Sequence, residues 1–138
     1  LRVVMDVVYN HTALTETSNF NQLVPGYYYR QKPDGSFSDA TACGNETASE
    51  RAMMRKFMLE SVLYWVKEYH IDGFRFDLMG VHDVQTMNLI SDTLHKIKPD
   101  ILLYGEGWIA GASPYPEEKR AVKKNAHLLK GIAVFSDD

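Results

Sequence analysis

Gly73-Phe74-Arg75-Phe76-Asp77 alternates aromatic and charged side chains. On a β-strand, residues two apart share a face, so Arg75 and Asp77 point one way and Phe74 and Phe76 the other. The aromatic pair is set to pack against helices, and the charged pair closes the strand at its C-terminal end. An arginine beside a carboxylate keeps it ionised at neutral pH, because the positive charge favours the anion. An ionised, oriented carboxylate is a candidate nucleophile. Taken alone, the same pattern also describes a structural ion pair.

Around this strand the sequence alternates strand and helix. Ahead of Asp72-Gly73, residues Met54, Phe57, Met58, Val62, Trp65 and Tyr69 are spaced for one helical face, and Thr47-x-x-Glu50 reads as the capping box of that helix. After it, Met87, Ile90, Leu94 and Ile97 predict a helix over 84–97, stopped by Pro99-Asp100. Residues 101–104 read as a strand, 117–129 as a weaker helix and 132–135 as a last strand. Residues 1–8, apolar and β-branched, read as a strand buried on both faces. Between 10 and about 43 the chain is irregular, with turn signals at Pro25-Gly26 and Pro33-Asp34-Gly35.

Strands separated by helices imply a parallel sheet, because parallel pairs need crossover connections. A dinucleotide-binding doubly wound sheet would carry G-x-G-x-x-G after a strand, and the sequence has none. Polar residues gather instead at the C-terminal ends of successive strands: Asp6, Asn10 and His11, then Arg75 and Asp77, then Glu106, then Asp137 and Asp138. In a (β/α)8 barrel those ends converge on the face where chemistry is done. The expected fold is therefore α/β, a partial (β/α)8 barrel. Four strands cannot close one, so residues 1–138 are expected to be about half of a single catalytic domain, incomplete at both ends.

Composition narrows the partners. The 138 residues are 45% hydrophobic and 24% charged, with a net charge of -3 and no basic run, which argues against nucleic acid. No run is long enough to cross a membrane. The 12% aromatic content suits stacking on sugar rings and equally suits a packed core. Cys43 is the single cysteine, so no internal disulfide forms, and it reads as a plain loop thiol. Without a recognisable N-terminal signal, cytoplasmic and secreted locations both stay open.

Glu106 lies in Tyr104-Gly105-Glu106-Gly107-Trp108, between glycines that let backbone and ligand approach closely. Neighbouring parallel strands lie roughly 4.8 Å apart, so carboxyls at adjacent strand ends can reach the ~5–5.5 Å spacing of retaining glycosidases. With no basic neighbour in its own segment and Trp108 close by, Glu106 is expected to be partly desolvated and to hold its proton, as a general acid must.

Asp6-Val7-Val8-Tyr9-Asn10-His11, Gly73-Phe74-Arg75-Phe76-Asp77 and Gly105-Glu106 resemble, in order, three conserved sequence regions of glycoside hydrolase family 13, the α-amylase family. The resemblance covers essentially the whole chain and implies strands three to six of that family's barrel. It implies that Asp77 is the catalytic nucleophile and Glu106 the proton donor. Arg75 resembles the residue that orients the nucleophile, and Asp6 the supporting carboxylate that helps to hold Arg75. His11 resembles the histidine that hydrogen-bonds the sugar next to the scissile bond. Tyr9 and Trp108 fall among the substrate-binding and supporting positions. Asn10 matches a position that binds calcium in many α-amylases, so calcium is a possible ion, although no cofactor is required. A further His-Asp pair at the end of the seventh strand belongs to the family pattern and has no match here.

The stretches Ser18-Asn19-Phe20, Pro25 to Arg30, Cys43 to Ala48 and Asp77-Leu78-Met79-Gly80 resemble the debranching, type I pullulanase branch of that family. The implied substrate is an α-glucan, cut at its α-1,6 branch linkages. Rival readings are an α-1,4-acting or glucan-transferring member, or a sugar-binding homologue without activity. Tyr27 to Tyr29 could wall a sugar subsite or simply pack the long loop. Asn10-His11-Thr12 and Asn45-Glu46-Thr47 are formal glycosylation sequons, discounted because the first lies in the expected cleft.

Overall fold

The computed structural model describes residues 1–136; Asp137 and Asp138, which the sequence sets at the end of a strand, lie outside the described residues. Strands β1 (Val4–Val7), β2 (Gly73–Phe76), β3 (Leu102–Gly105) and β4 (Ala133–Val134) form a parallel sheet in sequential order. The helices are α1 (Asn19–Leu23), α2 (Ala52–Tyr69) and α3 (Val84–Ile97). Cross-strand register pairs Asp6 with Arg75 and Arg75 with Tyr104, while Val7, Phe76, Gly105 and Val134 form the next row.

The period of two in β2 separates the faces. Phe74 and Phe76 are fully buried and join Val7 and Leu103 in one core with Met54, Met58, Val62 and Val66 of α2 and Met87, Ile90 and Leu94 of α3. Both long helices therefore cover the same face of the sheet. The opposite face carries Asp6, Arg75 and Tyr104, none of them buried. This corrects the expectation that β1 is covered on both faces: Val3 and Val8, at its ends, are half exposed.

Helix α2 buries residues at spacings of four, and Phe57 and Tyr69 fall to its exposed flank. Ile97 likewise ends α3 in the open. The expected capping box does not form: Arg51 is the N-cap without a side-chain bond, Thr47 Oγ1 donates to Tyr9 O (2.6 Å), and Glu50 accepts from Arg30. At the other end His70 adopts a left-handed conformation (φ 56°) and its N–H returns to Val66 O, closing the helix. Helix α3 has a side-chain cap, with Asp83 accepting from the Thr86 N–H at 2.8 Å.

The helix expected over 117–129 is corrected to two 3₁₀ turns, Glu117–Lys119 and Lys123–Leu128. Asn125 supplies a physical reason. Its buried amide donates to Glu117 O (2.8 Å) and Arg120 O (2.9 Å), carbonyls that a continuous helix would have claimed.

Candidate active site

The site grows from the C-terminal ends of β1, β2 and β3. Where β2 ends, the Asp77 N–H bonds to Val7 O (3.0 Å), and the Glu106 N–H bonds to Phe76 O (3.1 Å), so sheet pairing carries straight into the functional residues. Arg75 stands at the centre. Its Nη1 donates to Asp6 Oδ1 and to Asp77 Oδ1, each at 2.9 Å, and its Nη2 donates to Glu106 Oε1 at 2.5 Å. One guanidinium thus gathers carboxylates from three strand ends on the open face. Burial alone would lower the Arg75 pKa, but hydrogen bonds to Asp6 and Asp77, with the nearby charge of Glu106, outweigh it and hold Arg75 above its ordinary value.

Glu106 has no cation in its own segment, yet Arg75 of the adjacent strand supplies one. Glu106 Oε2 also accepts the Leu78 N–H at 2.9 Å. Leu78 adopts the left-handed region (φ 38°), uncommon for a bulky residue, and this turn aims its N–H at the carboxylate. Gly80 continues the turn: its N–H bonds to Glu106 O (2.9 Å), and a Cβ there would lie 2.4 Å from Trp108 O. Only glycine fits.

Asn10 is fully buried and joins two other site residues. Its Nδ2 donates to Asp77 O (2.7 Å) and to Asp77 Oδ2 (3.0 Å), which fixes the orientation of the amide. Asn10 Oδ1 is then the acceptor facing His11 Nδ1 at 2.6 Å, and His11 must carry its proton on Nδ1. Asn10 O accepts the Thr47 N–H at 2.9 Å. Both Asn10 oxygens thus meet protein donors, and among the described residues no cluster of three or more His, Cys, Asp or Glu could hold a metal ion. The residues present do not form a calcium cage at this point.

The remaining candidates sit differently. Tyr9 turns away from the carboxylates into the helix layer, with its hydroxyl 2.8 Å from Ser61 Oγ and its ring edge-on to Phe57. Trp108 lies at the rim, 6.1 Å from the Phe135 ring, which in turn meets Tyr104 and the Arg75 guanidinium. Tyr29 is buried with its hydroxyl on Ser18 and Thr12, and Tyr28 stacks on Phe20 at 4.5 Å, so both pack the loop. Asn45 is as buried as Asn10, which closes both sequons to a glycan. A hollow of about 730 Å³ beside Asp83, Asn88 and Tyr115 shares none of these residues.

Behind the site lies a buried ion network. Arg30 Nη1 donates to Glu46 Oε2 (2.9 Å) and Val81 O (2.8 Å), and its Nη2 to Glu50 Oε2 (2.8 Å), with the Tyr115 ring 4.4 Å from the guanidinium. Next to it His82 is fully buried. Desolvation first, and the charge of Arg30 second, pull its pKa down to about 3, against the opposing charges of Asp83 and Asp77. Sequence reasoning missed this network, since isolated charges in a loop ordinarily face water.

No family model matches the chain. Pullulanase of Bacillus subtilis (strain 168) is 47% identical over 137 residues, covering 99% of this chain and 19% of that relative. Chloroplastic pullulanase 1 of Arabidopsis thaliana is 36% identical over 148 residues, covering 99% of this chain and 15% of that relative. Among solved structures, Paenibacillus barengoltzii pullulanase in complex with maltohexaose and α-cyclodextrin superposes with a TM-score of 0.95 at 57% identity, over 99% of this chain and 21% of that one. Over nearly its whole length the chain is similar to pullulanases. It spans about a fifth or less of the length of these relatives. The likeness extends beyond the strand ends. The 99% of the chain that is matched takes in the long loop between β1 and α2 and the 3₁₀ turns before β4.

Proposed function

We propose that these residues are a segment of the catalytic (β/α)8 barrel of a glycoside hydrolase family 13 debranching enzyme, and that the whole enzyme cleaves α-1,6 branch linkages of α-glucans with retention. The observation that carries the proposal is the shared grip of Arg75 on Asp77 and Glu106 at adjacent strand ends. Sequential strand order with both long helices on one face supports a barrel over a doubly wound sheet, whose crossovers cover both faces. The strands would be the third to sixth of the barrel.

In the proposed mechanism Glu106 protonates the leaving glycosidic oxygen while Asp77 attacks the anomeric carbon, forming a glycosyl-enzyme ester. Glu106 then takes a proton from water, which hydrolyses the ester. Arg75 and Asn10 hold the two Asp77 oxygens apart and aimed, and Asp6 holds Arg75 from the far side. His11, with Nδ1 committed to Asn10, presents Nε2 to a sugar hydroxyl. Trp108 offers an apolar surface at the rim. The two-carboxylate chemistry itself uses no metal or cofactor. The maltooligosaccharide complexes of the P. barengoltzii relative support an α-glucan as the partner.

The test is a segment exchange. Residues 1–138 replace the matching segment of B. subtilis pullulanase, and the chimera is assayed on pullulan and amylose. Release of maltotriose from pullulan is the expected result. A folded chimera that attacks amylose but not pullulan moves the protein to the α-1,4-acting reading, and one without turnover on either refutes the catalytic assignment.

A further inference from the structure

Asn45 lies far from the carboxylates in sequence and touches none of them, yet two of its three side-chain hydrogen bonds go to the backbone next to His11. It is 1% exposed. Its Oδ1 accepts the Thr12 N–H (3.1 Å), and its Nδ2 donates to Thr12 O (2.8 Å) and Thr15 Oγ1 (2.9 Å). The amide thus pairs with the Thr12 backbone in both directions, as a neighbouring strand would. Two residues on, Thr47 holds the other side of His11, with its N–H on Asn10 O (2.9 Å) and its hydroxyl on Tyr9 O (2.6 Å).

The segment 45–47 is itself anchored. Asn45 O accepts from Thr41 Oγ1 at 2.7 Å. The intervening Glu46 is fully buried and accepts from Arg30 Nη1 and Ser113 Oγ, each at 2.9 Å. Gly44, at φ 98°, makes the turn into this segment. His11 is therefore fixed at three points: its ring by Asn10, the backbone before it by Thr47 and the backbone after it by Asn45.

We infer that Asn45 is a positioning residue for His11, acting on the sugar next to the scissile bond through that ring alone. The inference rests on the proposed function. A misplacement of about 1 Å in a group that orients substrate costs on the order of a hundredfold in rate.

The test is a double-mutant cycle in the intact enzyme, reading kcat and KM on pullulan. Asn45→Ala is expected to lower kcat roughly 10- to 100-fold, within the ~10²-fold scale of such a misplacement. In the His11→Ala background the same change is expected to cost less than about twofold, because the residue it positions is gone. Full additivity of the two losses overturns the inference. So does parental kcat in Asn45→Ala, or an equal loss from Thr86→Val, which removes a buried hydrogen bond to Ser49 O away from residues 9–12. Should Asn45→Ala not fold, Asn45→Asp keeps the acceptor for Thr12 N–H and must show the same cycle. If the intact enzyme is inactive on α-glucans, the proposed function fails separately. The ¹⁵N resonance of His11 Nδ1–H then decides: its loss in Asn45→Ala upholds the positioning role, and an unchanged signal refutes it.

Discussion

Asn10 grips Asp77 at two points, 2.7 Å from its backbone oxygen and 3.0 Å from Oδ2, while Arg75 takes the remaining oxygen, Oδ1. A carboxylate held at both oxygens cannot rotate. Asp77 is thereby fixed before any substrate arrives, the condition under which proximity contributes to catalysis. The same amide orients His11, so a single buried side chain sets two groups of the proposed cleft.

Removing that amide should cost rate rather than affinity. A hydrogen bond to a charged group is worth about 1.5–3 kcal/mol, which corresponds to roughly 10- to 150-fold. Asn10→Ala in the intact enzyme is expected to lower kcat on pullulan within that range. Asn10→Asp should do worse, because it sets a like charge against Asp77. Steady-state rates settle the matter, and a value within twofold of the parent for both variants would remove Asn10 from the positioning scheme.

Glu106→Gln separates the proton donor from a merely structural carboxylate. Gln still accepts the Leu78 N–H, so the turn that bears it is retained. The sugar leaving group released from pullulan would be a poorly stabilised alkoxide and needs the proton, whereas the dinitrophenolate released from a dinitrophenyl glycoside does not. The variant is expected to lose at least a hundredfold on pullulan, within the ~10²–10⁴ range of general acid catalysis, while nearly sparing the first step on the aryl substrate. Pre-steady-state release of the phenol measures that step. Equal loss on both substrates is incompatible with Glu106 as the acid.

His82 links stability to pH. Its pKa falls from 6.5 when unfolded to about 3 when folded, through burial first and the charge of Arg30 second. Between those values the unfolded chain binds the proton and the folded one does not. Stability is therefore complete above pH 6.5 and declines as pH falls toward 3, by roughly 2 kcal/mol at pH 5. His82→Met removes the titrating group. Urea titrations at pH 7 and pH 5 should show a smaller pH-dependent loss for the variant than for the parent. Identical losses would mean that His82 gains a proton inside the fold.

Much of the arrangement was legible because it is local. The run from Gly73 to Asp77 declares a strand with a charged and an aromatic side, and both aromatics are buried. What escaped depends on partners distant in the chain. Glu106 looked free of cations because Arg75 lies 31 positions earlier and approaches only through strand pairing. Glu50 reads as half of a capping box, yet it and Glu46 close on Arg30 across a fold that sequence spacing does not reveal. Residues 117–129 read as a helix because side-chain capture of backbone carbonyls, here by Asn125, leaves no periodic mark.

Residues 1–138 expressed alone are expected to be catalytically inert and prone to self-association. The resemblance to glycoside hydrolase family 13 implies that the proposed barrel also needs a transition-state carboxylate from a His-Asp pair, and Asp137 and Asp138 do not match that pair. Loss of such a group costs several kcal/mol, on the order of a thousandfold or more in rate. The sheet adds a second reason. Strands β1 and β4 are its edges among the described residues, and an unpaired edge is a template for another chain. The face bearing Asp6, Arg75 and Tyr104 is uncovered as well, although its charges disfavour close packing of two copies. The experiment assays the isolated chain on pullulan and an aryl maltotrioside while light scattering follows its mass. Turnover near that of the intact enzyme by a monomer would refute the need for a further carboxylate and the reading of this sheet as part of a larger barrel.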